Sequence, residues 1–210
     1  MQIAIALYER FTALDAVGPY QTLGGIPDAE VVFVAERTGP VSDDSGQLAL
    51  VATKTFDEVQ RPDIVVVPGG PGQADQRENA PLLNWLRAVD ATTTWTTSVC
   101  TGSLALAAAG LLEGREATSH WLALETLDEL GARSTGQRVV FDGKYVTAAG
   151  VSAGIDMGLT LVGRIAGDER AQTVQLLIEY DPQPPYDAGS PEKAPAHLVD
   201  MWRRKAGATA

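Results

Sequence analysis

A single cysteine, Cys100, stands in the segment Val99-Cys100-Thr101-Gly102-Ser103. A β-branched run, residues 93–99 (TTWTTSV), ends at it, and an Ala/Leu-rich run of helical character starts at Gly102. A side chain at a strand-to-helix elbow is presented above the sheet edge. The unpaired N–H groups of the helix start favour the thiolate there, so position alone can activate the residue. The chemistry on offer is nucleophilic attack on an electrophilic carbon. The competing reading is a buried cysteine that packs like a small hydrophobe. The elbow and the Thr-Gly-Ser after it favour the nucleophile.

Asp15 is the second candidate, embedded in Leu14-Asp15-Ala16-Val17-Gly18-Pro19. It reads either as a helix N-cap or, beside a thiolate, as a carboxyl pushed towards protonation and able to donate a proton at neutral pH. Thr101 either starts its helix or hydrogen-bonds a reacting atom or water. His120 follows Thr118-Ser119 and reads as a helix-cap neighbour or as the base of a Cys-His pair. Gly69-Gly70-Pro71-Gly72 lacks the Lys-Ser/Thr of a phosphate-binding loop and the spacing of a dinucleotide fingerprint. It reads as a turn that needs glycine geometry, with N–H groups able to face the cysteine.

These residues need a scaffold that gathers them. Residues 2–8 (QIAIALY), 30–36 (EVVFVAE), 63–67 (DIVVV) and 93–99 read as buried strands. Helical patterns fall at residues 19–23, 81–89, 102–112 and 120–130. The alternation predicts an α/β fold with a mostly parallel sheet and helices on both faces. Residues 48–53 pair with the 40–41 region as an antiparallel excursion, and residues 138–141 and 145–148 form a hairpin about Asp142-Gly143-Lys144. Helices follow at 153–165 and 169–180, and a Pro-rich arm at about 181–195 carries five of the twelve prolines. The expected organisation is one domain over residues 1–210. In a parallel sheet the ligand site lies beyond the carboxyl ends of the strands. The Asp15 segment, the glycine turn, the Cys100 elbow and Ala149-Gly150-Val151-Ser152 all follow strand ends, so they converge on one cleft.

Composition narrows the partners. The net charge of -11, from 27 acidic and 16 basic residues, opposes binding to phosphate backbones or anionic lipid, so neither nucleic acid nor membrane is expected. The one basic cluster, Arg203-Arg204-Lys205, reads as a solvated helix end. Residues 1–7 read as a first strand and not as a signal peptide, and no apolar run approaches the length of a membrane span. A lone cysteine forms no intrachain disulfide and fits a reducing, cytoplasmic setting. With two histidines and one cysteine, no metal is expected, and no organic cofactor either. The expected partner is a small-molecule substrate.

Residues 63–72 (DIVVVPGGPG), 98–112 (SVCTGSLALAAAGLL) and 117–121 (ATSHW) resemble the DJ-1/PfpI (ThiJ) superfamily. Residues 14–19 (LDAVGP) and 179–191 (EYDPQPPYDAGSP) are similar to its isocyanide hydratase branch. The likeness runs from Met1 to about Pro195. It implies a flavodoxin-like (class I glutamine amidotransferase-like) sheet, a homodimer, Cys100 as nucleophile, Asp15 as its acidic partner and Thr101 as a polar neighbour. Backbone at Gly70 and around Gly150-Val151 would line the site. Many members carry Glu after the first strand and Cys-His-Gly at the elbow, whereas this chain has Asp15 and Cys-Thr-Gly, which points away from protease- or glyoxalase-like activity. The expected reaction is hydration of an organic isocyanide to an N-substituted formamide through a covalent thioimidate. The alternatives are an enzyme acting on reactive carbonyls such as methylglyoxal, and a non-catalytic sensor of oxidants or electrophiles. A DNA-binding regulator would need a helix-turn-helix domain, and this chain ends about where one would begin.

Overall fold

The strand runs alternate their side chains between two apolar layers, and that period-two pattern builds the sheet. The computed structural model describes residues 1–207. β1 (Gln2–Ala6) leads into α1 (Ala13–Leu23), β2 (Glu30–Ala35), the strands β3 (Gly39–Ser42) and β4 (Ala49–Ala52), and β5 (Lys54–Thr55). β6 (Ile64–Val67), α2 (Gln73–Gln76), α3 (Ala80–Asp90), β7 (Trp95–Val99) and α4 (Gly102–Ala108) follow. The second half contains β8 (Glu116–Ala117), α5 (Leu124–Glu129), β9 (Arg133–Ser134), β10 (Val139–Asp142), β11 (Tyr145–Ala148), α6 (Ala153–Ala166), α7 (Asp168–Leu177) and α8 (Ala196–Gly207).

The main sheet has seven strands in the order β10-β11-β7-β6-β1-β2-β5. All pairs are parallel except the β10–β11 hairpin, the arrangement of a flavodoxin-like α/β protein. Ala4, Ala6, Val65 and Val67 face a layer with Leu82, Leu86, Leu104 and Leu127. Ile3, Ile5, Ile64 and Val66 face the other, with Leu23, Met157 and Leu161. Because β1 lies between β2 and β6, the chain reverses its direction of winding there and leaves a crevice beyond the carboxyl ends of β1 and β6.

Several boundaries differ from the sequence reading. The helix expected from residue 19 starts at Ala13, with Thr12 as its N-cap and Pro19 inside it. Proline lacks only one N–H, and packing of this short helix on α6 outweighs that loss. The contact is close: a Cβ at Gly158 of α6 would meet the Thr22 side chain, with Thr22 Cβ 2.8 Å away. The helix expected over 102–112 ends at Ala108, with Gly110 at φ 81° beyond it. The 120–130 pattern splits into a 3-10 turn, Trp121–Ala123, and α5. The short elements α2, β5, β8 and β9 have too few residues to carry a periodic signal. The antiparallel excursion pairs β3 with β4, Val41 opposite Leu50. The arm at 181–195 has no regular strand or long helix, and α8 follows it with Arg204 and Lys205 in its last turn. Among the described residues, no helix is long and apolar enough to cross a membrane.

Candidate active site

Cys100 closes β7 and occupies the left-handed region at φ 57°. Its N–H donates to the carbonyls of Ala148 and Ala149, both at 3.0 Å, so β11 holds the strained elbow in place. From the other side Ser103 Oγ (3.2 Å) and Ser119 Oγ (3.1 Å) donate to the Cys100 carbonyl oxygen. The residue is therefore pinned at both ends of its backbone.

Asp15 is wholly buried in the first turn of α1. Its Oδ2 accepts the Gly69 N–H at 2.9 Å. Its Oδ1 has no nitrogen or oxygen donor, and the Cys100 thiol is the group left to it. Asp15 is not an N-cap; Thr12 holds that position. Burial pushes the Asp15 carboxyl up to about 7, against the pull of the Gly69 N–H and the Cys100 thiol, while Asp44 adds to the rise.

Cys100 departs from the expected activated thiolate. It is 5% exposed, and burial, followed by the charge on Asp15, pushes its thiol up to about 12. The backbone N–H groups of Val151 and Thr101 and the Thr101 side chain pull it back down. A seven-residue helix start cannot outweigh burial beside a carboxylate. The two groups thus hold a single proton between them above neutrality, and a thiolate forms only when that proton rests on Asp15.

Thr101 joins the elbow to the glycine turn. Its Oγ1 accepts the Gly70 N–H at 3.0 Å and makes no helix-capping bond. Its one O–H is then available to the sulfur, because the Gly70 carbonyl at 3.5 Å lies at the outer limit of a hydrogen bond. Gly70 has φ 137°, and a Cβ there would come within 2.5 Å of Thr12 N. Only glycine admits that approach. Val151 also has a positive φ, 24°, which is costly for a β-branched residue, and its N–H is held towards the sulfur. Gly150 lies against the His120 ring, 2.9 Å from a Cβ position to His120 Cδ2. His120 accepts the Leu122 N–H at Nδ1 (3.3 Å), and burial lowers its proton affinity. It caps the 3-10 turn Trp121–Ala123.

The model of the DJ-1/PfpI family matches residues 1–164. The chain belongs to this family.

Among relatives, the chain is 43% identical to the isonitrile hydratase of Pseudomonas putida, over 98% of this chain and 90% of that protein. It is 31% identical to the HTH-type transcriptional regulator CdhR of Pseudomonas aeruginosa, over 65% of this chain but only 40% of the regulator. A crystal structure of a THiJ/PfpI family protein from Pseudomonas syringae superposes with a TM-score of 0.92 at 40% identity, covering 99% of this chain and 89% of that one.

Within this DJ-1/PfpI fold the structure brings Cys100, Asp15, Thr101, Gly70 and Val151 together, with Gly150 against the His120 ring. The sequence reading gave Tyr8, Ser103 and Ser119 no role in holding the site. Tyr8 is buried, and the charges of Asp15 and Cys100 contribute to raising its phenol well above the usual tyrosine range, after burial itself. Ser119 read as a helix cap, yet it bonds a carbonyl 19 residues away. Among the described residues, no group of three or more His, Cys, Asp or Glu is placed to hold a metal.

Proposed function

We propose that this protein is a hydro-lyase that hydrates organic isocyanides to N-substituted formamides through a covalent thioimidate on Cys100. The observation that carries the reading is the burial of Asp15 beside Cys100, with Asp15 Oδ2 held by the Gly69 N–H at 2.9 Å and Oδ1 left to the Cys100 thiol. The 43% identity to an isonitrile hydratase over nearly the whole chain supports the choice of substrate.

An isocyanide carbon is soft and carries a lone pair. Cys100 Sγ forms a bond to it, and the shared proton passes from Asp15 to that carbon, giving R–N=CH–S–Cys100 and an Asp15 carboxylate. Asp15 then takes a proton from water as the hydroxyl adds to the same carbon, and passes that proton to nitrogen. The carbon–sulfur bond of the resulting R–NH–CH(OH)–S adduct breaks as the hydroxyl proton leaves. R–NH–CHO departs, and sulfur and carboxylate again hold one proton between them. Water is the only co-reactant.

The deciding experiment mixes purified protein with a simple alkyl isocyanide and follows the formamide proton by NMR, with methylglyoxal in a parallel sample. Formamide in the first and no loss of methylglyoxal in the second is the expected result. Consumption of methylglyoxal alone would replace this reading with the carbonyl one.

Thr101→Val keeps the β-branched shape and removes both the O–H directed at sulfur and the acceptor of Gly70 N–H. A hydrogen bond to a charged group contributes about 1.5–3 kcal/mol, so kcat/KM is expected to fall by roughly 10- to 100-fold. An unchanged kcat/KM would limit Thr101 to a spacer. The protein is also read as a homodimer. Leu176 and Leu177 on α7 are 76% and 75% exposed, and Tyr186 in the arm is 80% exposed, leaving apolar surface for a second copy. Sedimentation at micromolar concentration is expected to give about twice the 22.2 kDa chain mass, and a purely monomeric profile would refute it.

A further inference from the structure

Tyr8 follows β1 and buries its phenol beside the glycine turn. Its O–H donates to the Pro68 carbonyl oxygen at 2.7 Å. The opposite end of that same peptide group, the Gly69 N–H, donates to Asp15 Oδ2 at 2.9 Å. A trans peptide holds its C=O and N–H in one plane, pointing opposite ways. The Tyr8 hydroxyl, the Pro68–Gly69 peptide and the Asp15 carboxylate therefore form one continuous line of hydrogen bonds. Pro68 and Gly69 are buried, so solvent does not take over either end of that line.

We propose that Tyr8 is a positioning residue: by pinning the Pro68–Gly69 peptide through its hydroxyl, it sets the proton affinity of Asp15. Its catalytic meaning rests on the hydratase reading, whereas its effect on Asp15 does not. The groups acting on Asp15 are the Gly69 N–H from the turn, the Cys100 thiol from the β7–α4 elbow, and Asp44 from the loop between β3 and β4, which itself accepts Thr12 Oγ1 at 2.8 Å. Among these the Gly69 N–H gives the largest pull towards the ionised form. Tyr8 stays neutral, so removing its hydroxyl changes the hydrogen bonding without changing any charge.

In Tyr8→Phe the ring and its packing remain, but the peptide is free to tilt and the N–H···Oδ2 bond weakens. A buried carboxylate that loses such compensation binds its proton more tightly. The Asp15 titration is therefore expected to move upwards by about one pH unit, a tenfold change in proton binding.

The test follows the rate at which iodoacetamide alkylates Cys100, the only cysteine, as a function of pH. The rate rises as the Asp15–Cys100 pair loses its first proton, so the inflection reports Asp15. Tyr8→Phe is expected to move that inflection up by about one pH unit. Tyr145→Phe is the control: it removes another largely buried tyrosine hydrogen bond, to Asp90 Oδ2 at 2.9 Å, and should leave the inflection in place. An inflection that stays put or falls in Tyr8→Phe overturns the proposal, as does an equal movement in Tyr145→Phe. If Tyr8→Phe does not fold, 3-fluorotyrosine at position 8 preserves the ring and strengthens the donor. The inflection should then move down, and an unmoved one overturns the proposal. No isocyanide enters this measurement. A displaced inflection in a protein that makes no formamide would leave the role of Tyr8 standing and remove the hydratase reading.

Discussion

Cys100→Ala is expected to fold normally and to lose turnover by about 10^4-fold or more, the scale seen when a nucleophile is removed from an enzyme whose groups act as a unit. Alanine retains the Cβ and carries the same left-handed strain at φ 57° as cysteine, so the elbow is no worse off. The N–H bonds to Ala148 and Ala149 and the two serine bonds to the residue 100 carbonyl are backbone contacts and survive. Loss of one buried sulfur costs about 1 kcal/mol in packing. Formamide production by the variant, together with a urea midpoint near wild type, are the two measurements. Intact-mass spectra in a single turnover should show one substrate mass on wild-type Cys100 that appears and then decays. Formamide from a folded Cys100→Ala protein would end the covalent mechanism.

Asp15→Asn should lower kcat by about 10^2- to 10^4-fold, the range for a general acid–base group, while making the protein more stable at alkaline pH. Both effects come from one cause. The Asp15 carboxyl has a folded-state affinity near 7 against an ordinary value of 3.8, so the fold favours its neutral form. Stability from that preference is fully present below pH 3.8 and is lost as pH rises through about 7. Asparagine keeps the acceptor for the Gly69 N–H but never ionises. Wild type and variant should diverge between those two pH values and differ by up to about 4 kcal/mol above them. That upper bound follows from about 1.36 kcal/mol for each tenfold change in proton binding between the folded and unfolded chain. Urea denaturation at pH 5 and pH 8.5 checks the sign. In wild type, kcat/KM should rise with pH through about 7, as the pair passes from two protons to one. Near-wild-type turnover by Asp15→Asn would reduce the residue to a structural part.

The parallel strands are legible in the sequence because both faces of the sheet are covered, leaving runs such as Ile64–Val67 without a polar residue. The Cys100 elbow and the glycine turn are legible because their backbone demands small residues at defined places. The start of α1 is not, because the Pro19 signal points to a later beginning and the packing on α6 that overrides it is a long-range contact. Nor is the protonation of the site. Activation of Cys100 by a helix start is a local inference, whereas burial beside Asp15 depends on two segments 85 residues apart in the chain coming together. Tyr8 escapes notice for the same reason, since its partner Pro68 lies 60 residues away. A tyrosine closing an apolar strand carries no mark of that bond.

On the proposed reading, the single proton shared by Asp15 and Cys100 would also act as a charge filter at the site. Above neutrality the pair carries one buried negative charge, and the charged groups acting on it are the pair's own members and the acidic Asp44. An anionic molecule approaching to about 5 Å meets a repulsion of about 3 kcal/mol at an effective dielectric constant near 20. That amounts to roughly a hundredfold exclusion relative to a neutral molecule of the same shape. Iodoacetate should therefore lag far behind iodoacetamide in modifying Cys100, and equal rates would show the charge to be screened. The isocyanide and formamide groups of the proposed reaction are uncharged, so a barrier that turns away carboxylates and phosphates would leave the proposed substrate and product unopposed.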